Sequence, residues 1–331
     1  MKIGNHLIGD NSKPFVIAEV GINHNGDKNL AKRMILSAKE SGADAVKIQS
    51  FKVESFCLKK SKYYPLFQSC QLDEFELAEL YDYSNKIGII FFSSVFDEWS
   101  VNINHKLNTQ CYKIASGDIN NFPLLSAVAK KSLPIIISTG ASNIEEVSDA
   151  IDVIYCINKK IKVAILHCIS NYPTDFKDVH LRYLQELRRS FDVPIGFSDH
   201  TVGNDIAMAA VANGANLIEK HFTIDNSLEG PDHKHSCNPT DFKNLTDSIL
   251  NIFKARGSLK KPLVEGEETI KQIRRGVYAA RDIEVGETIT HNMLKICRPE
   301  SELKPKDIAN IIGKKVKNKI KFEEGISLDD L

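Results

Sequence analysis

Two histidines, His200 and His221, are the residues whose spacing most directly indicates chemistry. Each has an acidic neighbour, Asp199 or Glu219, and each ends a short apolar run. The two runs flank a small apolar stretch, a pattern that predicts a strand–helix–strand unit whose parallel strands end on the same side of a sheet. Two neutral imidazoles meeting there could hold one divalent metal ion and leave coordination positions for a substrate. The alternative is a pair of unrelated polar residues at loop starts.

Two lysines, Lys47 and Lys113, lie within apolar runs that are predicted to be strands. A buried ammonium group is costly unless it meets an anion. That anion could be a carboxylate of the protein, such as Glu19 or Asp118, or a substrate phosphate or carboxylate held together with hydroxyl donors. A lysine that forms a Schiff base is a further alternative. Glu19 could also act as a general acid or base.

The elements that must position these residues alternate between strand-like and helical runs over residues 1–256. Eight strand–helix units of this size predict an α/β fold of the (β/α)8, or TIM, barrel type. A doubly wound open sheet is the alternative, but no Gly-x-Gly-x-x-Gly follows the first predicted strand, Phe15–Gly21. Residues 51–72 predict a long loop. In barrel enzymes the site forms at the C-terminal ends of the strands, where these histidines and lysines fall.

The remaining residues predict a linker at 257–275 and a small second domain at 276–331. Within that domain, Val277–Ala280 and Val316–Ile320 predict strands, and Lys304–Ile312 predicts a helix. So small a domain has little core of its own, and we therefore expect it to pack on a partner surface.

Several other histidines are weaker candidates for a functional role. A rim loop is predicted around Asp232 and His233, where both side chains could hydrogen-bond a polyol, with a solvated turn as the alternative. His24, His235 and His291 are predicted to be ordinary surface residues.

The composition narrows the class of protein. Basic and acidic residues are equal in number, 43 each, which argues against a general nucleic-acid or membrane-surface binder. No apolar run approaches ~18 residues and no signal-peptide pattern is present, so we expect a cytoplasmic protein. The 7 cysteines are scattered without a Cys-x-x-Cys pair, which favours reduced thiols.

The motifs at these positions, in this order, resemble the sialic acid synthase family. Members condense phosphoenolpyruvate with an N-acetylated hexosamine to give nonulosonic acids. The tail is similar to the family's small antifreeze-like (SAF) domain. The motifs that carry the resemblance are Ile17-Ala-Glu-Val-Gly-Ile-Asn-His-Asn-Gly26, Val46-Lys-Ile-Gln49, Tyr112-Lys-Ile-Ala-Ser-Gly-Asp118, Ile137-Ser-Thr-Gly140, Leu166-His-Cys168, Tyr172-Pro-Thr174, Gly196-Phe-Ser-Asp-His-Thr201, Glu219-Lys-His-Phe222 and Gly230-Pro-Asp-His233.

The resemblance implies a role for each of these residues. His200 and His221 would bind a divalent metal, Mn²⁺ or Mg²⁺, that activates the sugar aldehyde. Glu19, Tyr172 and Asp232 would face the sugar, with Glu19 also transferring protons. Phosphoenolpyruvate would react at C3 and lose phosphate by C–O cleavage. The residues that would hold it are Lys47, Gln49, Lys113, Ser116, Ser138 and Ser198.

The resemblance also implies a domain-swapped homodimer, in which an arginine of the small domain reaches the partner's barrel. Arg298 occupies the matching position. The family's Arg-Pro-Gly turn is replaced here by Arg298-Pro299-Glu300-Ser301, a departure on the sugar side of the site.

Several functions stay open at this point. The sugar could be N-acetylmannosamine, its 6-phosphate, as in an N-acetylneuraminate-9-phosphate synthase, or a 2,4-diacetamido relative. Rival enzymes are a Schiff-base sialic acid lyase and a phosphoenolpyruvate-dependent sugar-acid synthase of another pathway, against which the small C-terminal domain argues. A sugar-binding barrel without catalysis is the non-enzymatic rival, because a fold alone does not give a function.

Arg298→Ala is expected to raise the KM for the amino sugar roughly tenfold or more, since the implied contact is a charged hydrogen bond. The KM for phosphoenolpyruvate should stay nearly unchanged. Steady-state kinetics with each substrate varied in turn measure both constants. An unchanged KM for the sugar would remove the cross-subunit role.

Overall fold

A computed structural model describes residues 1–258, 260–271 and 273–331, which divide into one unit at Met1–Gly257 and another at Ser258–Leu331. In the first unit, eight parallel strands close into a barrel in which each strand pairs with the next along the chain and the last pairs with the first. This confirms the predicted TIM barrel. A short hairpin of β1 (Lys2–Ile3) and β2 (His6–Leu7) precedes the barrel. The barrel strands are β3 (Phe15–Gly21), β4 (Ala45–Ser50), β5 (Ile90–Val95), β6 (Tyr112–Ile114), β7 (Ile135–Ser138), β8 (Val163–Cys168), β9 (Ile195–Asp199) and β10 (Leu217–His221).

Helices cover the outside of the barrel with their apolar faces turned inward. Local capping sets their limits: Asp73 and Glu76 form a capping box at the start of one helix, and Gly88, with φ of +75°, ends it. None of the helices in the described ranges is long and apolar enough to cross a membrane. The helices of this unit are α1 (Lys28–Glu40), α2 (Val53–Phe56), α3 (Tyr64–Cys70), α4 (Glu74–Ile87), α5 (Glu98–Lys106), α6 (Phe122–Ala129), α7 (Ile144–Ile157), α8 (Tyr183–Ser190), α9 (Asp205–Ala212) and α10 (Pro239–Arg256).

The interior of the barrel changes from apolar to ionisable along the strands. Ile3 and Ile8 pack against an apolar layer of inward-facing side chains, which include Ile17, Ala45, Phe92, Cys111, Ile136 and Leu217. Because side chains alternate between the two faces of a strand, the residue two positions further along also points inward. Those residues are Glu19, Lys47, Ser94, Lys113, Ser138 and Glu219, all buried. The polar layer above the apolar one is therefore a direct consequence of strand geometry.

The prediction of a loop at residues 51–72 is wrong in part, because α2 and α3 form within it. Both helices are short, so their apolar residues show too little periodicity to be recognised from the sequence. α3 begins with a proline in its first turn, where a missing backbone donor costs nothing. The buried side chain of Phe51 packs against Phe56 and Phe67, which holds the two helices over the barrel mouth.

The second unit has its own core of aliphatic side chains, among them Val277, Ile283 and Ile320. It contains α11 (Glu265–Lys271) and an antiparallel pair of strands, β11 (Gly276–Ala279) and β12 (Leu294–Cys297).

Three predictions for this part of the chain need correction or restriction. Residues 316–320 form an isolated bridge between Ile320 and Ile283 instead of a strand. The predicted helix at Lys304–Ile312 is a 3-10 helix at Pro305–Asn310. The predicted linker at 257–275 contains α11, and two of its residues, 259 and 272, lie outside the described residues.

A buried ion pair joins the ends of β9 and β10. Lys220 Nζ lies 2.7 Å from Asp199 Oδ2 and donates a second hydrogen bond to the carbonyl oxygen of Thr201 (2.6 Å). Lys220 and Asp199 are 1% and 0% exposed, so neither charge has access to water. The pair fixes the chain on either side of His200 and immediately before His221.

Lys220→Met should therefore lower the free energy of unfolding by roughly 3–5 kcal/mol, because it leaves a buried carboxylate without its partner. Urea unfolding followed by circular dichroism measures the loss. Lys106→Met is the matched control, since its ion pair with Glu74 is exposed and should be worth less than about 1 kcal/mol. Equal losses in the two variants would contradict the structural role of the buried pair.

Candidate active site

A cavity of about 520 Å³ opens at the C-terminal ends of the barrel strands, within the size range of small-molecule sites. The polar layer of the barrel forms one part of its lining. The predicted site residues of the barrel all contribute to this lining: Glu19, Lys47, Gln49, Lys113, Ser116, Ser138, Tyr172, Ser198, His200, His221 and Asp232. Arg298 follows β12 in the second unit, where its side chain is exposed.

Lys47 lies between two carboxylates on neighbouring strands. Its Nζ is 2.8 Å from Glu19 Oε2 and 3.7 Å from Glu219 Oε2, and it donates a hydrogen bond to Ser94 Oγ (2.8 Å). Carboxylates of the protein thus neutralise this ammonium group. Pairing with Glu19 was one of the alternatives that the sequence left open. Asp118, the other candidate partner, instead accepts a hydrogen bond from Asn121.

Lys113 has a less compensated environment than Lys47. Its Nζ donates hydrogen bonds to Ser138 Oγ (2.7 Å) and to the carbonyl oxygen of Ile114 (3.1 Å). The carboxylate of Glu219 is 3.9 Å away and also accepts a hydrogen bond from Ser198 Oγ (3.0 Å). Two ammonium groups therefore share Glu219, and hydroxyl groups surround both.

Burial and mutual interaction shift the pKa values of this cluster in opposite directions. Burial raises the pKa of Glu19 to about 7, with Lys47 opposing the shift and Glu219 adding to it. Burial also acts to raise the pKa of Glu219, but Lys113 and Lys47 together hold it below its usual value. Near pH 7 Glu219 is ionised while Glu19 exchanges its proton. When Glu19 is protonated, ammonium charge exceeds carboxylate charge, which favours an anion in the cavity.

The histidines at the ends of β9 and β10 lie side by side on the same cavity wall. The ring centroids of His200 and His221 are 5.3 Å apart. The ring of Tyr172 lies 4.1 Å from that of His200 and 5.6 Å from that of His221. The parallel strand ends bring these imidazoles together.

Hydrogen bonding indicates which imidazole nitrogens are free. His200 Nδ1 lies 2.7 Å from the carbonyl oxygen of Ile169, and because a carbonyl only accepts, Nδ1 carries the proton and Nε2 of the neutral ring keeps its lone pair. His221 Nδ1 is buried without a hydrogen-bond partner among the described residues, and Asp232 Oδ2 lies 3.7 Å from it. Burial holds the pKa of His221 well below its usual range, so its ring is neutral.

These groups fit a divalent metal ion. Two imidazoles stand on the same wall of the cavity, and one of them, that of His221, is neutral with an orphaned buried nitrogen. Burial acts to lower the pKa of His200, but Cys168 raises it overall, so this ring would give up a proton on binding a metal ion. The part of the chain that the structure describes has no group of three or more His, Cys, Asp or Glu side chains arranged to hold a metal. An ion bound by the histidines would therefore complete its coordination with water or substrate oxygen. The choice between the expected Mn²⁺ and Mg²⁺ stays a prediction that these two ligands alone do not decide.

The structure adds four polar residues for which no binding or catalytic role was predicted: Ser94, Cys168, Ser170 and Glu219. Ser94 and Glu219 follow the inward-facing Phe92 and Leu217 by two positions, so strict strand alternation could have identified both.

Cys168 ends β8 and supports one of the histidines. Its Sγ lies 3.8 Å from His200 Nδ1 and 3.7 Å from Ser116 Oγ. The amide of Gly140 donates to the same Ser116 hydroxyl (2.9 Å). These contacts join the histidine side of the cavity to the serines of the anion side.

Four aromatic side chains form another part of the lining: Phe56 of α2, Tyr63 and Phe67 at α3, and Phe96 after β5. We call this group the aromatic wall. Phe56 is central to it, with ring centroids 4.7 Å from both Phe67 and Phe96. Tyr63 extends it with a centroid 6.4 Å from that of Phe67. No part of the wall was predicted, because three of its rings belong to the two unrecognised helices and their starts, and the fourth, Phe96, joins them only by packing.

Two histidines differ from their predictions. His24 is fully buried, because the turn at the end of β3 folds inward and the amide of Gly26 donates to His24 Nδ1 (3.1 Å). His233 is also fully buried, and its Nδ1 lies 2.7 Å from Thr223 Oγ1, so it does not offer the predicted polyol contact. Asp232 alone of that pair lines the cavity.

Comparison with protein-family models gives two matches. The NeuB family model matches residues 34–261, and the SAF domain model matches residues 274–331. These matches confirm the predicted resemblance for the barrel and the predicted SAF domain for the tail.

Individual relatives align along nearly the full chain. The N,N'-diacetyllegionaminic acid synthase of Legionella pneumophila is 40% identical over 93% of this chain and 92% of its own. The N-acetylneuraminate-9-phosphate synthase of Homo sapiens is 35% identical over 93% of this chain and 90% of its own. Among solved structures, the N-acetylneuraminic acid synthetase of Leptospira borgpetersenii, in complex with citrate, superimposes with a TM-score of 0.78 at 36% identity, covering 82% of this chain and 94% of that one.

The raised pKa of Glu19 predicts a specific dependence of stability on pH. The folded protein keeps this proton up to about pH 7, whereas the unfolded chain loses it near 4.5. Between those values the folded state binds more protons, so the contribution of Glu19 to the free energy of unfolding falls as the pH rises.

Glu19→Gln removes that contribution. The free energy of unfolding of the variant minus that of the wild type should rise between pH 4.5 and about 7 and then level off. The rise should be on the order of 3 kcal/mol, at 1.36 kcal/mol per pKa unit. Urea unfolding at a series of pH values measures it, and a difference that does not change with pH would contradict the buried protonated state.

Proposed function

Because the chain belongs to the NeuB family, we propose that it is a nonulosonic acid synthase. It would join phosphoenolpyruvate to the open-chain form of an N-acetylated hexosamine and release phosphate. One observation supports this most directly: a single cavity contains two buried ammonium groups among hydroxyl donors and, on another wall, two neighbouring imidazoles. The first set suits a small phosphorylated acid, and the second suits the metal-assisted activation of a carbonyl group.

Phosphoenolpyruvate would occupy the lysine side of the cavity. Lys47 and Lys113 come from β4 and β6, so they can contact an anion from two directions. Ser116, Ser138 and Ser198 supply hydroxyl donors, and Gln49 an amide donor, to the same cavity. Charge-assisted hydrogen bonds in a site shielded from water are strong enough to offset the desolvation of a phosphate and a carboxylate.

The amino sugar would lie against the histidine side. Mn²⁺ held by His200 and His221 would supply Lewis acidity toward a carbonyl oxygen. Tyr172 stacks on His200 and Asp232 lies beside His221, so both can orient sugar hydroxyl groups at this wall. Binding both reactants in one cavity removes much of the entropic cost of their encounter.

Glu19 would donate and accept the protons of the reaction. As C3 of phosphoenolpyruvate bonds to the aldehyde carbon, the aldehyde oxygen gains a proton that Glu19 can donate. Water then adds at C2 and loses a proton, which the Glu19 carboxylate accepts. The C2–O bond breaks, and phosphate leaves with the electron pair toward Lys47 and Lys113. The C2 hydroxyl group gives its proton to the departing phosphate and becomes the carbonyl group of the product. A carboxyl group whose pKa is about 7 suits both transfers near neutral pH.

A Schiff-base lyase is the rival that the lysine environment can address. Lys47 is a poor nucleophile, because Glu19 and Glu219 raise its pKa although burial opposes them. Burial lowers the pKa of Lys113, so this lysine is the one a lyase would use. Borohydride treatment with a nonulosonic acid present should leave the protein unmodified; a trapped adduct on Lys113 would favour the lyase.

Release of phosphate from phosphoenolpyruvate tests the proposal. We expect release that requires both an N-acetylated hexosamine and Mn²⁺ and that stops in EDTA. The assay should include N-acetylmannosamine, its 6-phosphate and a 2,4-diacetamido hexose. Absence of release with every sugar in the presence of metal would contradict the proposed synthase.

His221→Ala should reduce Mn²⁺ bound per chain and phosphate release together, each by at least roughly tenfold, because one of two protein ligands is lost. Metal content after dialysis gives a readout independent of activity. His291→Ala is the control, since His291 is exposed in the second unit and should affect neither quantity. Full metal content and activity in His221→Ala would end the two-histidine hypothesis.

A further inference from the structure

Asn23, in the turn that follows β3, is a buried polar residue to which the proposed reaction gives no role. Its side chain is 0% exposed and is not among the described residues that line the cavity. Its Oδ1 has no hydrogen-bond partner in the described part of the chain, a cost that a side chain serving only to fill space would avoid. This cost directs attention to the groups that the amide nitrogen of Asn23 binds.

The amide nitrogen of Asn23 binds both ends of the loop between β10 and α10. Its Nδ2 donates to the carbonyl oxygen of Phe222 (2.9 Å) and to Ser236 Oγ (3.0 Å), and both hydrogen bonds are buried. A carbonyl oxygen only accepts, so the nitrogen of the amide faces Phe222. One side chain thus ties the turn after β3 to the start and the end of that loop.

The first of these contacts fixes the backbone beside His221. Phe222 directly follows His221, and its amide donates to the carbonyl oxygen of Glu19 (2.8 Å), while its own carbonyl oxygen accepts from Asn23. Both hydrogen-bonding groups of the Phe222 backbone are thus held by β3 and the turn after it. In the pairing of β10 with β3, His221 lies opposite Glu19. The position of the His221 ring relative to the Glu19 carboxyl group therefore depends on the Asn23 amide.

The second contact reaches Asp232 through a hydroxyl group. Ser236 Oγ donates its one proton to the carbonyl oxygen of Asp232 (2.7 Å), so it accepts the hydrogen bond from Asn23. Asp232 Oδ2 in turn lies 3.7 Å from His221 Nδ1, and both side chains line the cavity. Asn23 thus acts on His221 and Asp232 together.

Other contacts of this loop complement those of Asn23. Asn226 Nδ2 donates to the carbonyl oxygen of Ser236 (2.7 Å), which holds the loop to itself. Asn25, of the same turn as Asn23, donates to the carbonyl oxygen of Glu229 (2.7 Å), but that hydrogen bond is exposed. A hydrogen bond shielded from water is electrostatically stronger. The buried contacts of Asn23 are therefore the firmer link between the turn and the loop.

We propose that Asn23 is a positioning residue that sets the geometry of His221 and Asp232 relative to Glu19. The inference rests on the proposed synthase reaction and adds to it a residue that touches neither reactant. It predicts an effect on the metal and the amino sugar, which would lie on the histidine side. Phosphoenolpyruvate would lie on the side of the lysines of β4 and β6, so its binding should not depend on Asn23.

Asn23→Leu tests this directly, because leucine has a similar volume and no amide group. The Kd for Mn²⁺ should rise roughly tenfold, the usual effect of losing a group that holds a metal ligand in place. The kcat should fall roughly tenfold or more, because catalytic groups tolerate little misplacement. The Kd for phosphoenolpyruvate in EDTA should change less than about twofold. Electron paramagnetic resonance of free Mn²⁺ measures the first quantity without any need for activity.

Asn104→Leu is the matched control for lost stability. Asn104 is also 0% exposed, and it donates to the carbonyl oxygen of Ser100 (2.8 Å) and accepts from the Tyr81 hydroxyl group (2.7 Å). Both variants should be destabilised, as urea unfolding measures, but Asn104→Leu should keep the wild-type Mn²⁺ affinity and kcat. Wild-type Mn²⁺ affinity and kcat in Asn23→Leu, or equal losses in both variants, would overturn the inference.

Ser236→Ala interrupts only the link to Asp232 and is the milder change, so it carries the test if Asn23→Leu does not fold. It should raise the KM for the amino sugar roughly fivefold or more and leave the Kd for Mn²⁺ within about twofold of the wild-type value. An unchanged KM for the sugar would overturn the inference for Asp232. No phosphate release by the wild type with any sugar would contradict the synthase reaction, while Mn²⁺ binding by Asn23→Leu would still decide the role of Asn23.

Discussion

The polar interior of the barrel depends on a balance between buried positive and negative charges. Two ammonium groups, Lys47 and Lys113, are buried at the level where the barrel interior changes from apolar to polar. They are tolerated because Glu19 and Glu219 lie within ion-pairing distance and serine hydroxyl groups complete their hydrogen bonds. The balance is incomplete when Glu19 holds a proton. The excess positive charge in the cavity then favours a small anion, and the Glu19 carboxyl group is available for proton transfer.

The fold supplies this arrangement with simple means. The parallel strands bring all of their C-terminal ends to one side of the barrel. Every second side chain along each strand points into the barrel. One apolar layer supports the barrel, and the next positions along the same strands carry the chemistry. The buried pair of Lys220 and Asp199, on the outer face of β9 and β10, fixes the strand ends that present the histidines. On β9 and β10, the ion pair on the outer face thus stabilises the strand ends whose inner face presents the histidines.

Strand periodicity made the barrel and its polar lining predictable from sequence, and the motifs at strand ends made the family predictable. His200 and His221 were expected to meet because parallel strands share a direction, and they do. Features that depend on packing were not predictable. α2 and α3 are too short to show a period, so the aromatic wall was missed, and the burial of His24 follows from an inward turn that no local pattern indicates. The partner role of Arg298 stays a prediction.

The most direct test of the central claim is the calorimetric titration of phosphoenolpyruvate into the protein in EDTA. The charge cluster predicts binding by the wild type, and binding at least roughly 30-fold weaker in Lys113→Met, because losing one member of a buried charge pair costs 2 kcal/mol or more. Lys106→Met, which removes an exposed lysine, should bind like the wild type. Absence of binding by the wild type, or equal affinity in Lys113→Met, would contradict the account of the buried cluster as an anion site.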